Sequence, residues 1–173
     1  SGATATDSFT LVVSNANDAP TVSSTAITTA TEDAVYTYTL TGADADVGDT
    51  LTMSGTTVPS WLTFTASTGV LTGTPTNDNV GTTGNAVVLT ITDAAGESVT
   101  DSFTITVANT NDAPSFSSSP VLTAQEDDVY TYTAVGTDMD AGDTFTLGSS
   151  SVPSWLTFTA STGVLTGTPT NSD

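Results

Sequence analysis

The chain has 173 residues, nineteen Asp plus Glu, and no Lys, Arg, His or Cys. It therefore lacks the imidazole, thiolate, amine and guanidinium groups on which most acid–base, nucleophilic and zinc chemistry rests, and it can form no disulfide, no side-chain ion pair and no lysine crosslink. A formal charge of −19 argues against nucleic-acid binding and against anionic membranes, and no apolar run is long enough for membrane insertion.

Residues 1–19 align without a gap on residues 95–113, and Asp7-Ser8-Phe9-Thr10 recurs as Asp101-Ser102-Phe103-Thr104. The opening segment reads as the last strand and linker of a preceding repeat, with Phe9, Leu11 and Val13 inward. On this reading Ser1 falls inside a repeat of a longer chain. A complete repeat follows over residues 20–113, and seven strands are predicted in it. The first covers about 21–28. In the second, Tyr36, Tyr38 and Leu40 alternate with Val35, Thr37 and Thr39, the period of a half-buried strand. Leu51–Ser54 is the third and Val58–Phe64 the fourth. A turn at Ala66–Gly69 leads to the fifth, Val70–Thr72. Val87, Leu89 and Ile91 share one face of the sixth, and Phe103, Ile105 and Val107 one face of the seventh. An incomplete second repeat covers residues 114–173, ending at the counterpart of Asn79, so its sixth strand is absent and open strand edges are expected. Asn17 and Asn111 stand 94 residues apart, as do Glu32 and Glu126, and Trp61 and Trp155. A fixed period without insertion marks stacked copies of one unit. No helix is predicted. The fold class is all-β: tandem seven-stranded Greek-key β-sandwiches of the immunoglobulin type, end to end.

The second strand runs directly into acids. Tyr38, Leu40, Gly42, Asp44 and Asp46 have one parity, so they share a side while the chain stays extended. Asp44-Ala45-Asp46-Val47-Gly48-Asp49 returns as Asp138-Met139-Asp140-Ala141-Gly142-Asp143. Alternate Asp beside a Gly turn suits a hard cation with oxygen ligands, although the spacing is not that of an EF-hand.

These segments resemble cadherin repeats. Ala43-Asp44-Ala45-Asp46 with Val47-Gly48-Asp49 is similar to the cadherin AxDxDxG pattern. Asn109-Thr110-Asn111-Asp112-Ala113-Pro114-Ser115-Phe116 resembles the DxNDNxPxF linker, and Asn15 to Pro20 repeats it. Thr31 to Tyr38 resembles the segment carrying the first-strand glutamate, and Leu89 to Glu97 resembles VxAxDxG. Residues 58–77 and 152–171 resemble the dystroglycan-type, cadherin-like and Ig-like repeats of large bacterial surface adhesins. The resemblance implies calcium between successive repeats. The earlier joint would draw on Asn15, Asn17, Asp18, Asp44, Asp46 and Asp93. The central joint would draw on Glu32, Asn109, Asn111, Asp112, Asp138 and Asp140, and Glu126 would serve a later joint. Asn109 stands where the pattern has an Asp, Gly73 to Asp78 replaces the LDRE segment, leaving Asn77 or Asp78 to compensate, and Ala113 replaces an Asn. One or two calcium ions per joint are therefore expected, fewer than the three typical of cadherins.

Competing readings are plainer. Acidic loops also maintain solubility, but carboxylates gathered at one end without Lys or Arg repel unless a cation intervenes. Trp61 and Trp155 could be sugar platforms, but packing in the core accounts for them. The Thr-x-Thr rows lack the flatness an ice-binding array needs. Asp44 and Asp46 have no cleft for glycosidase chemistry, and no enzyme is expected. The expected role is a calcium-rigidified extender or spacer in a secreted bacterial surface adhesin or fibre, located at the cell surface or outside the cell. Its partners would be neighbouring repeats of the same or an identical chain, with a carbohydrate or cell-surface ligand engaged through other domains. The alternatives are a calcium-dependent carbohydrate-binding module and a filament subunit assembled by strand complementation.

Overall fold

Alternating apolar and hydroxyl residues give strands, and a computed structural model describing residues 1–173 shows which of them pair. The chain divides into two units, residues 1–108 and 109–173. The first unit contains β1 (Thr21–Val22), β2 (Thr29–Thr31), β3 (Tyr36–Thr39), β4 (Gly42–Ala43), β5 (Thr52–Thr57), β6 (Leu62–Thr65), β7 (Val70–Gly73), β8 (Ala86–Thr92), β9 (Ser98–Thr104) and β10 (Thr106–Ala108). One layer is the antiparallel sheet β3-β7-β6 and the other is β5-β8-β9. β1 pairs with β4, and β10 runs parallel to β2. Tyr36, Tyr38, Leu62 and Leu71 from the first layer meet Val87, Leu89 and Ile91 from the second. Leu40, Ile105 and Val107 complete this buried cluster. The fold is the expected all-β sandwich, with Thr on its outer pleats.

The strands are more broken than the alternation alone predicts, and each break has a local cause. The fourth begins at Leu62 rather than Val58, because Leu62 N–H closes a turn onto Pro59 O at 2.9 Å. The third runs on to Thr57, with a bulge between Gly55 and Thr57. The seventh divides at Ile105. Its N–H bonds to Asn85 O at 3.0 Å, whereas Thr106 N–H bonds to Thr28 O at 2.9 Å, so the chain changes ladders there. The first divides into β1 and β2 because its two ends pair with different strands. Residues 1–20 contain no strand, and Phe9 is 85% exposed. A strand needs a partner for its N–H and C=O groups, and none pairs with this segment.

In the second unit, β11 (Ser115–Phe116), β12 (Tyr130–Thr133), β13 (Gly136–Thr137), β14 (Leu156–Thr159) and β15 (Val164–Gly167) repeat part of the same plan. β12-β15-β14 pairs Tyr130 with Gly167, as β3 pairs Tyr36 with Gly73. Residues 123–125 and 146–151, the counterparts of β2 and β5, form no strand. In the first unit those strands are paired by β10 and β8, which have no counterpart in the sequence.

Trp61 is held in place by shape and by one hydrogen bond. A Cβ at Gly73 would overlap the Trp61 carbonyl, so only glycine fits across from it. The indole lies edge-on to Tyr36, with ring centroids 5.9 Å apart. Its Nε1–H donates to Oδ1 of the buried Asn85 at 2.9 Å, and the Asn85 amide donates to Asn79 O and Gly81 O. Trp61 is thus a packing residue rather than an open platform. Trp61→Ala is expected to lower the stability of the first repeat by about 3 kcal/mol. Trp61→Phe keeps a ring but leaves Asn85 Oδ1 unpaired, and should cost about 1–2 kcal/mol. Urea unfolding followed by circular dichroism tests both, and an unchanged midpoint in Trp61→Ala would show that the ring is not packed.

Candidate functional site

Strands of two different sheets in the first unit deliver acids to the same end. β4 leads into Asp44 and Asp46, and β8 leads into Asp93. Asp44 Oδ1 accepts the N–H of Asp46 at 2.8 Å, and Asp49 N–H closes a turn onto Asp46 O at 3.1 Å. Gly48 lies between them at φ +92°, a left-handed conformation that a side chain would strain. That turn brings Asp49 back, so carboxylate oxygens of Asp44, Asp46 and Asp49 lie within 4.8 Å of one another. Asp49 Oδ1 accepts Thr50 N–H at 2.7 Å and Ala94 N–H at 3.4 Å. Asp44 Oδ2 is buried and has no hydrogen-bond partner.

The linker residues lie against this end. Asn15 Nδ2 donates to Asp46 Oδ1 at 2.6 Å, and Asp18 N–H donates to Asp46 Oδ2 at 2.8 Å. Asn17 Nδ2 donates to Asp93 Oδ2 at 2.9 Å. Asp93 Oδ1 accepts Gly96 N–H at 2.6 Å and Glu97 N–H at 2.8 Å. All six residues assigned from the sequence to the earlier joint therefore meet here, although the Asp18 side chain itself is exposed.

In the second unit Asn109 Nδ2 donates to Asp140 Oδ1 at 2.9 Å, and Asp112 N–H donates to Asp140 Oδ2 at 2.7 Å. Asp138 Oδ1 accepts Asp140 N–H at 3.0 Å. Asp138, Asp140 and Asp143 repeat the triad of the first unit, and Asn111 Nδ2 bonds to Asp112 O at 2.9 Å. Glu32 precedes β3, whereas Asp44 follows β4, so the two mark different ends of one extended stretch. Glu32 is buried, and its N–H bonds to Ala108 O at 2.9 Å. Its repeat counterpart Glu126 is exposed.

Three acids that the structure places in such contacts were not assigned as site residues from the sequence. Asp49, with its counterpart Asp143, joins each triad, and the signal for it was its recurrence after Gly48 and Gly142. Asp101 faces the core, because β9 sets it opposite Leu89. It accepts the Tyr38 hydroxyl at 2.7 Å, and that hydroxyl also meets Ser24 Oγ at 2.7 Å. Burial first, and then the Asp101 contact, pushes the Tyr38 hydroxyl up to about 12. Asp101 shares its parity with Phe103, which could have revealed it. What the end of each sandwich offers chemically is oxygen donors alone.

The family model described as "Putative Ig domain" matches residues 19–108 and again 113–173. The "Serine-rich adhesin for platelets" of Staphylococcus aureus is 33% identical over 138 residues, which is 76% of this chain and 6% of that protein. The protein of the same name in strain MRSA252 is 32% identical over 138 residues, 76% of this chain and 9% of that protein. The chain thus spans only a small part of the curated relatives it matches. Human protocadherin-24 EC1-2 superposes with a TM-score of 0.51 at 19% identity, covering 90% of this chain and 79% of that chain. That likeness shows the fold, a cadherin- and immunoglobulin-like sandwich. The relationship to a surface adhesin carries an extracellular or cell-surface location.

The Asp93 carboxyl is held below its ordinary 3.8, first by the Asn17 amide; burial works the other way, and the N–H groups of Glu97, Gly96 and Ala95 add to the lowering. A depressed folded-state pKa contributes stability that is present above the unfolded value and lost as pH falls through the folded value. Asn17→Ala should therefore raise the Asp93 midpoint in an NMR titration made in chelator. It should also lower Tm near pH 6, and that deficit should vanish as pH falls below the Asp93 midpoint. An unmoved midpoint would show that Asn17 does not hold the carboxylate.

Proposed function

The chain belongs to the "Putative Ig domain" family, and from that premise we propose that it is an adhesin repeat segment acting as a calcium-stiffened extender. The observation that carries this reading is the triad Asp44, Asp46 and Asp49 with its buried, unpartnered Asp44 Oδ2. The triad recurs at Asp138, Asp140 and Asp143. Three carboxylates this close repel one another, and no Lys or Arg in the chain can offset them. A donor set of oxygens without nitrogen or sulfur suits calcium rather than a transition metal.

Asp44 and Asp49 would hold the ion in the first unit, with Asp46 beside them, and Asp138 and Asp143 would hold it in the second. The bound ion would supply the positive charge that the sequence lacks. Asn15 to Asp18 and Asn109 to Asp112 already lie against these acids, so ordering the acid loop orders the linker leading into it. The proposed role is mechanical and involves no catalytic step. Ligand choice would rest with other parts of the full protein.

Calcium that binds only the folded state raises stability, by about 2.7 kcal/mol when present at a hundred times its Kd. The Tm of the 173-residue chain should therefore rise from chelator to saturating calcium. Asp44→Asn together with Asp138→Asn should weaken calcium binding at least about tenfold, since each site loses one anionic ligand. Calorimetry reads both effects, and small-angle scattering reads the stiffening. Equal Tm and equal maximum dimension in calcium and in chelator would overturn the reading.

A further inference from the structure

The linker residues occupy the acids in a particular way. In the first unit both oxygens of Asp46 are taken by one short segment, Oδ1 by the Asn15 amide and Oδ2 by Asp18 N–H. In the second unit both oxygens of Asp140 are taken likewise, by the Asn109 amide and Asp112 N–H. Each Asp is itself oriented through its own N–H, which bonds to Asp44 or Asp138 two residues earlier. The bracket therefore needs only an Asn, an Asp three residues on, and the Asp-x-Asp loop of the following repeat. It forms in both units even though the second contains no counterpart of Asp93.

We propose that this bracket is a metal-independent latch. Asp46 and Asp140 anchor the linker to the repeat that follows it, and a neutral asparagine amide does at this contact what a cation would otherwise do. Hydrogen bonds to an ionised acceptor are shorter and roughly twice as strong as neutral ones. The amide presents its N–H to the carboxylate and brings no charge of its own. An Asp at position 15 or 109 would instead set carboxylate against carboxylate, with no Lys or Arg to relieve it. The latch concerns the same joint as the calcium reading but does not need it. It makes the linker-facing side of Asp46 and Asp140 an anchor and leaves Asp44 with Asp49, and Asp138 with Asp143, as the principal cation donors. The joint then has two layers of control: attachment of the linker by amides, and stiffening by the ion.

The test is amide hydrogen exchange by NMR on the 173-residue chain in chelator. Asp18 and Asp112 N–H should exchange at least about tenfold more slowly than in an unstructured peptide. Asn15→Asp and Asn109→Asp should each abolish that protection at the corresponding site, whereas Asn15→Ala and Asn109→Ala, which remove one donor without adding charge, should reduce it. The sheet amides of β3 and β8 serve as the control for folding. Protection of Asp18 and Asp112 only when calcium is present would overturn the latch, as would protection unchanged in the Asn→Asp variants. Protection in chelator combined with no calcium effect on Tm would keep the latch and remove the calcium reading, so the two stand or fall separately.

Discussion

A carboxylate drawn out of bulk water must be met by a cation or by N–H and O–H donors. This chain has no cationic side chain, so its own donors are backbone, amide and hydroxyl groups. Asp93 is met by Gly96, Glu97 and Asn17. Asp46 and Asp140 are met by linker amides and backbone N–H groups, and Asp101 is met by a tyrosine hydroxyl. Asp44 Oδ2 is the buried oxygen that these donors leave over. The functional reading follows from that remainder: the unmet demand for positive charge lies at the entrance to the repeat, beside the linker.

The sandwich determines where this demand arises. Its sides are uncharged, with Thr37, Thr72 and Thr63 in one cross-strand row and Thr52, Thr92 and Ser98 in another. The acids of the site are instead collected at a strand end, because β4, paired with β1, and β8, of the β5-β8-β9 layer, both finish there. The acids of the site therefore lie at the entrance of the repeat and not on these hydroxyl rows. The core beneath is largely apolar packing, with Leu71, Leu89 and Ile91 fully enclosed, and Asp101 touches it through the Tyr38 hydroxyl.

The two units share part of one repeat plan. The β12-β15-β14 sheet keeps the register of β3-β7-β6, because both of its pairings are internal to the segment. The counterparts of β2 and β5 lack strand character because β10 and β8, which pair with those strands in the first unit, have no counterpart in the sequence. The linker bracket survives in both units, since everything it needs lies between the linker and the first acid loop. Local completeness, rather than completeness of the whole sandwich, decides which features persist.

The sequence by itself determined the repeat period, the all-β class and the kind of chemistry available. These are legible because they depend on alternation, on residue spacing and on an inventory of side chains with many carboxylates and no Cys, His, Lys or Arg. The common parity of Tyr38 and Asp46 also placed the acids at a strand end, since an extended chain keeps one face over that distance. Only the tertiary structure decided that Asn85 lies under Trp61, that Asp101 meets Tyr38 inside the sandwich, that the last strand divides at Ile105, and that linker asparagines turn their amides toward the acids. Each of those depends on a pairing between distant segments, from the 20 residues separating Ile105 and Asn85 to the 78 separating Thr106 and Thr28. Parity and spacing fix which way a side chain points from its own strand, but not what another strand brings to meet it.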